Sequence, residues 1–141
     1  MRYSVIKTVK KRIPSKKIDA LVNIVEVEEK PPDAILYFIF FQDRDIRKLN
    51  RKFRGIDKAT DVLSFSFNDE LGEDAILGEV YISTDSAARY AAEDRISFGE
   101  MIVRLCCHGI LHLLGYDHIR RKDRLAMEKR ERHILGRVDI Q

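Results

Sequence analysis

The longest apolar run in the chain, Ala34 to Phe41 (AILYFIFF), sets the first limit on the fold. A helix that crosses a bilayer needs roughly 20 such residues, so this run is too short to span one. It is rich in aromatic and β-branched side chains and follows the break Lys30-Pro31-Pro32-Asp33, and it reads as a buried strand. A chain of 141 residues, 45% hydrophobic and 35% charged with 7 Gly and 3 Pro, can cover such a strand within one core. That composition excludes a disordered, collagen-like or low-complexity chain, and a single domain over residues 1–141 is expected. Cys106 and Cys107 are sequence neighbours, poorly placed for disulfide geometry, so a reducing, cytoplasmic compartment is expected. The N-terminus is charged from Arg2 and has no apolar stretch of signal-peptide length, so neither secretion nor membrane insertion is expected.

Local patterns place the other elements. Arg2 to Val9 alternates weakly as a first strand, and Ser15 is placed to cap a helix to about Glu29 with Ile18, Leu21, Val22 and Val25 on one face. After the buried strand, Asp43 is expected to cap a short helix with Ile46, Leu49 and Phe53 inward and Arg44, Arg47, Lys48 and Arg51 outward, ended by Gly55. Val62 to Phe67 alternates strictly, with Leu63, Phe65 and Phe67 on one face. Asn68 to Asp74 reads as an acidic turn and Ile76 to Ile82 as the next strand, antiparallel to the one before. Ser83 caps a helix to about Asp94. Ser97 and Glu100 form a capping box for another that runs to Gly115. A last helix is expected from about Arg121 to Leu135, closed by Gly136. Interleaved strands and helices predict an α+β fold: a small mixed four-stranded sheet with helices packed on it.

Charge is segregated along the chain. Met1 to Thr60 carries 15 basic and 8 acidic residues, Asp61 to Glu100 carries 2 and 10, and Met101 to Gln141 carries 9 and 5. The basic clusters Lys10 to Arg12, Arg44 to Arg54 and Arg120 to Arg124 suit a polyanion such as RNA, and on charge alone they suit solvated helix faces equally well.

The informative segment is His108-Gly109-Ile110-Leu111-His112-Leu113-Leu114-Gly115-Tyr116-Asp117-His118, which holds three of the chain's four histidines. His108 and His112 are four apart on the expected helix, so both imidazoles share a face and can grip one ion. Gly115 can stop the helix and turn the chain, letting His118 supply a third nitrogen. Three His ligands leave a fourth tetrahedral position for water, the arrangement of a catalytic zinc site; nickel, copper and cobalt bind such ligand sets too. The spacing H-x3-H-x2-G-x2-H is that of the metzincin peptidases, whose general-base glutamate has its place here taken by Gly109. Helical phase turns Cys106 nearly opposite His108 and Cys107 a quarter-turn away, which gives both a buried structural role. Asp117 has two readings, orienting a ligating imidazole or capping the turn after Gly115.

Three blocks, Leu49 to Phe67 (LNRKFRGIDKATDVLSFSF), Leu77 to Ser83 (LGEVYIS) and His108 to His118, resemble the YbeY family of zinc-dependent, single-strand-specific bacterial endoribonucleases of ribosomal RNA maturation. Met127-Glu128 and Glu131 to Leu135 are similar to that family's final helix. The resemblance implies that His108, His112 and His118 ligate one zinc ion and that Arg54 is the family's functionally important arginine. The expected catalytic residues are Arg54 and His108. On residues alone Arg54 reads more simply as one surface arginine among many, although its planar, permanently charged fork suits a phosphate; the resemblance reverses that order. The chain departs from the family at Glu79, where Asp is common, and at Arg104, where many members carry a further histidine.

The resulting expectation is metal-assisted phosphodiester cleavage in single-stranded RNA, with Arg54 positioning the phosphate and no base assigned. Ribosomal RNA and the small ribosomal subunit are the expected partners, in the cytoplasm; no oligomeric state is specified. Two other classes stand beside it: a zinc-stabilised RNA- or ribosome-binding module without turnover, and a zinc metallopeptidase weakened by Gly109.

Overall fold

The computed structural model describes residues 1–67 and 75–140; the acidic turn expected at Asn68 to Asp74 lies outside them. The apolar run becomes β2 (Ile35–Phe41), an inner strand whose alternate residues enter two separate cores. Around it the chain forms β1 (Arg2–Lys7), α1 (Ser15–Glu29), α2 (Asp43–Arg54), β3 (Val62–Ser66), β4 (Ile76–Ser83), α3 (Thr84–Asp94), α4 (Phe98–Leu113) and α5 (Arg121–Ile140). Strand order is β1-β2-β4-β3; β1, β2 and β4 run parallel and β3 is antiparallel on β4. The fold is α+β with a small mixed four-stranded sheet, and β3 is an edge strand.

Leu36, Phe38 and Phe40 of β2, with Val80 and Ile82 of β4, form the main core with Leu21 of α1, Ile102, Cys106 and Ile110 of α4, and Met127 and Ile134 of α5. Ile39 and Phe41 face the other way and pack with Ile46 of α2 in a smaller cluster. Asp43, the first residue of α2, ties that helix to α3: its carboxylate accepts from the Ser83 hydroxyl, from Ser86 Oγ at 2.7 Å and from Arg89 Nη1 at 2.8 Å.

Several element ends differ from the sequence expectation, each for a local reason. β1 stops at Lys7 and β3 at Ser66, where pairing with the neighbouring strands ends. Ser15 is the first residue of α1 and donates to the Ile13 carbonyl instead of capping, with Pro14 at the cap position. At α2 the cap is Gln42, in a reciprocal capping box with Asp45, and Asp43 lies inside the helix. Helix α4 ends at Leu113, and Gly115 (φ +103°) lies in the turn beyond it. Helix α5 runs through Gly136 because Ile134 and Val138 are buried in the main core, and tertiary packing outweighs the glycine. Phe53 is not inward: it is 57% exposed at the end of α2.

Candidate metal centre

Helix α4 starts at Ser97, whose hydroxyl accepts from the Glu100 amide at 3.0 Å. Its core face is Ile102, Cys106 and Ile110, which leaves His108 and His112 half-buried on the flank. At the other end the Gly115 amide donates to the His112 carbonyl at 3.1 Å and the Tyr116 amide to the Leu111 carbonyl at 3.0 Å, using carbonyls that the helix leaves free. Tyr116 is then held by Glu29, which accepts from its hydroxyl at 3.1 Å and from Arg130 Nε at 2.8 Å. The turn is thereby clamped to α1 and α5, and His118 returns to the flank of α4.

The three imidazoles converge. One ligand atom from each of His108, His112 and His118 lies within 4.8 Å of the others, and the two Nε2 atoms of His108 and His112 are 3.1 Å apart. Neighbouring nitrogens at a tetrahedral zinc with bonds of ~2.0–2.1 Å are about 3.3 Å apart, so the donor set fits such an ion. His108 Nδ1 is 2.6 Å from Glu131 Oε1. With the proton on Nδ1, the imidazole donates to the carboxylate and Nε2 keeps a lone pair facing the other two histidines. His112 is pushed towards its neutral, ligating form by burial first and then by the charges of His108 and His118, against a hydrogen bond with the Tyr116 backbone.

Asp117 Oδ1 accepts from the Ile119 amide at 3.2 Å, the turn-capping arrangement. The orienting carboxylate in the structure is Glu131, on α5, which the sequence reading missed. Its only local signal is its place in the segment similar to the family's final helix. Cys106 and Cys107 are fully buried, and desolvation pushes both thiols upward, so they are neutral packing groups. A Cβ on Gly109 would lie 2.4 Å from Val80 Cγ1 and 3.2 Å from Ser64 Oγ. No side chain, least of all a glutamate, fits at 109 while α4 rests on β4.

Arg54 reaches the same place from the opposite wall. Its Nη2 donates to the Ser64 carbonyl at 3.1 Å, on the edge strand, and its guanidinium lies 5.3 Å from the Phe65 ring centroid. Arg54, Ser64 and Ser66 line a cleft of about 530 Å³ together with the three histidines. The cleft therefore joins a possible metal ligand set to a permanent cation on a separate element.

Residues 4–139 match the family model described as Endoribonuclease YbeY. The chain belongs to the YbeY endoribonuclease family. An Endoribonuclease YbeY of Desulforamulus reducens is 45% identical over 133 residues, covering 89% of this chain and 86% of the relative. One from Anaeromyxobacter dehalogenans is 50% identical over 99 residues, 70% of this chain, which spans about half (51%) of that longer relative. The solution structure of TM1509 from Thermotoga maritima superposes with a TM-score of 0.65 at 29% identity, covering 96% of this chain and 88% of that one. By its family the chain is an endoribonuclease, a hydrolase whose substrate is RNA. No single helix among the described residues is long and apolar enough to cross a membrane.

Proposed function

We propose that the chain is a zinc-dependent endoribonuclease of single-stranded RNA, with His108, His112 and His118 as the ligands of one ion and Arg54 as the phosphate-binding cation. The observation that carries this reading is the convergence of three imidazoles and a guanidinium on one cleft. Three imidazoles with a fourth tetrahedral position left open are the donor set of a catalytic zinc site. When bound, zinc supplies Lewis-acid polarisation of a phosphoryl oxygen and lowers the pKa of water. Arg54, anchored on Ser64 and Phe65, offers its remaining guanidinium donors to a phosphate and balances charge that develops there. His108 is held in one tautomer by Glu131. In this reading the scissile phosphate has to enter the cleft between β3 and α4, which selects a single strand over a duplex. Maturation of ribosomal RNA on the small subunit, in the cytoplasm and within a single domain over residues 1–141, follows from the family resemblance and is part of the same proposal.

The peptidase reading has no support at position 109, where its general base has no room. The decisive experiment is a cleavage assay on end-labelled single-stranded RNA and its duplex, with zinc-loaded protein, chelator-treated protein, Arg54→Ala and His112→Ala. Cleavage of single strands only, lost in both folded variants and with chelator and restored by zinc, is the expected result. Salt-dependent RNA binding without turnover would overturn it in favour of a binding module. End-group analysis of the products distinguishes water from the 2′-hydroxyl as nucleophile.

A further inference from the structure

Helix α2 changes character at its last turn. Ile46 is fully buried, but Phe53, on the same helical face seven residues on, is 57% exposed. The last turn of α2 lies over β3, and β3 is the edge of the sheet, so there is no further strand to cover the ring. Phe53 meets Phe65 edge-on, with centroids 5.5 Å apart at 65°, and more than half of its surface faces solvent. Phe53 lies just outside the lining of the cleft and is joined to it through Phe65, whose ring the Arg54 guanidinium also meets; Ile56, which does line the cleft, is 52% exposed.

The neighbours of this ledge are cations. Lys52 Nζ lies 5.3 Å from the Phe53 centroid and the Arg54 guanidinium 5.3 Å from that of Phe65. Among the described residues no carboxylate comes within ion-pair distance of Lys48, Lys52 or Arg54, whereas Arg47 is paired with Asp57 at 2.8 Å. An apolar protein partner would meet uncompensated charge here. A nucleotide meets complementary chemistry on both counts, with a flat π-face for the ring and phosphates for the cations.

We infer that Phe53 is a stacking platform for an unpaired base of the RNA strand next to the phosphate bound at Arg54, with Lys52 neutralising a neighbouring phosphate. This rests on the ribonuclease reading of the cleft and names how that site selects its substrate. In a duplex both faces of a base are covered by its stacked neighbours, so only an unpaired strand can offer one to Phe53. Selectivity then comes from the ledge as well as from entry of the phosphate into the cleft.

The test separates binding from cleavage by using single-stranded DNA oligomers as the probe, since they offer the same bases and phosphates without a 2′-hydroxyl. Affinities of the zinc-loaded wild type, Phe53→Ala, Phe53→Tyr and Lys52→Ala are measured by fluorescence anisotropy, with an abasic site scanned along the oligomer. Phe53→Ala is expected to weaken binding of the intact oligomer by roughly 5- to 150-fold and to lose that effect when the abasic site reaches the ledge, while Phe53→Tyr binds as wild type. Lys52→Ala is expected to weaken all oligomers alike and to lower the salt slope by about 0.7. Intact and abasic oligomers bound equally by wild type and Phe53→Ala would overturn the inference, whatever the cleavage assay gives. Circular dichroism of the variants checks that an exposed substitution leaves the fold intact.

Discussion

Removing the carboxylate of Glu131 perturbs the centre without touching a ligand. His108 Nδ1 and Glu131 Oε1 are 2.6 Å apart, and the two side chains are 31% and 23% exposed, so the bond is charge-assisted and only partly open to water. It fixes the proton on Nδ1 and sets the ring so that Nε2 faces His112. Without it the ring is free to rotate and to place its proton on Nε2, the atom that should bind the metal. Loss of such a partner typically lowers metal affinity 10- to 100-fold, or about 1.4–2.7 kcal/mol. Glu131→Ala is expected to fall in that range. Glu131→Gln, which keeps an acceptor oxygen but not the charge, is expected to lose less than about tenfold. Zinc affinity is read by competition with a chromogenic chelator, alongside thermal melts of the metal-free proteins. A Glu131→Ala protein that binds zinc within twofold of wild type would refute the reasoning. So would a loss of affinity matched by an equal loss of metal-free stability, which would make Glu131 a folding contact.

Two predictions concern the frame of the site. Gly109→Ala puts a Cβ at 2.4 Å from the stiff, buried Val80, an overpacking of about 1–3 kcal/mol that the ~1 kcal/mol gain in helix propensity offsets only in part. The melting temperature is expected to fall by several degrees, and Val80→Ala added to it is expected to cost less than the sum of the two singles; additive effects would refute the contact. At Asp43 burial raises the carboxyl pKa, but hydrogen bonds from Ser83, Ser86 and Arg89 outweigh it and hold the group below its ordinary value. A folded-state pKa below the unfolded ~3.9 contributes stability that is complete above about pH 5 and is lost as pH falls through the folded value. Asp43→Asn is therefore expected to be less stable than wild type at pH 7 and to converge with it under acid in urea titrations; a gap independent of pH would refute the assignment.

What was legible in the sequence was local. The length of AILYFIFF, the alternation of Val62 to Phe67 and the cap at Ser83 depend on neighbours within a few residues, and the corresponding elements lie where those patterns put them, β3 ending one residue early at Ser66. The histidine cluster was legible for the same reason, since one helical turn and one glycine turn bring its rings together. Glu131 was not, because it is 23 residues from His108 and meets it only once α5 packs beside α4. Phe53 was misread because a helical pattern says which face turns inward but not where the sheet beneath it ends. Gly136 was misread because packing of Ile134 and Val138 carries α5 past it.

Gly109 connects the departure from the peptidase pattern to the placing of Arg54. Helix α4 lies close on the β3–β4 pair at two points: at Gly109, where a Cβ would strike Val80, and at Gly78, where one would lie 2.6 Å from Leu113 Cδ2. That approach sets the edge strand beside the histidine helix, with Ser64 Oγ donating to the Gly109 carbonyl at 3.4 Å while the Ser64 backbone carbonyl receives Arg54. A side chain long enough to serve as a base at 109 would lift α4 from β4 and widen the gap between Arg54 and the imidazoles. The missing glutamate and the nearby guanidinium are thus two results of one close contact, and the same contact favours a cleft fitted to a phosphate over one fitted to a peptide and its base.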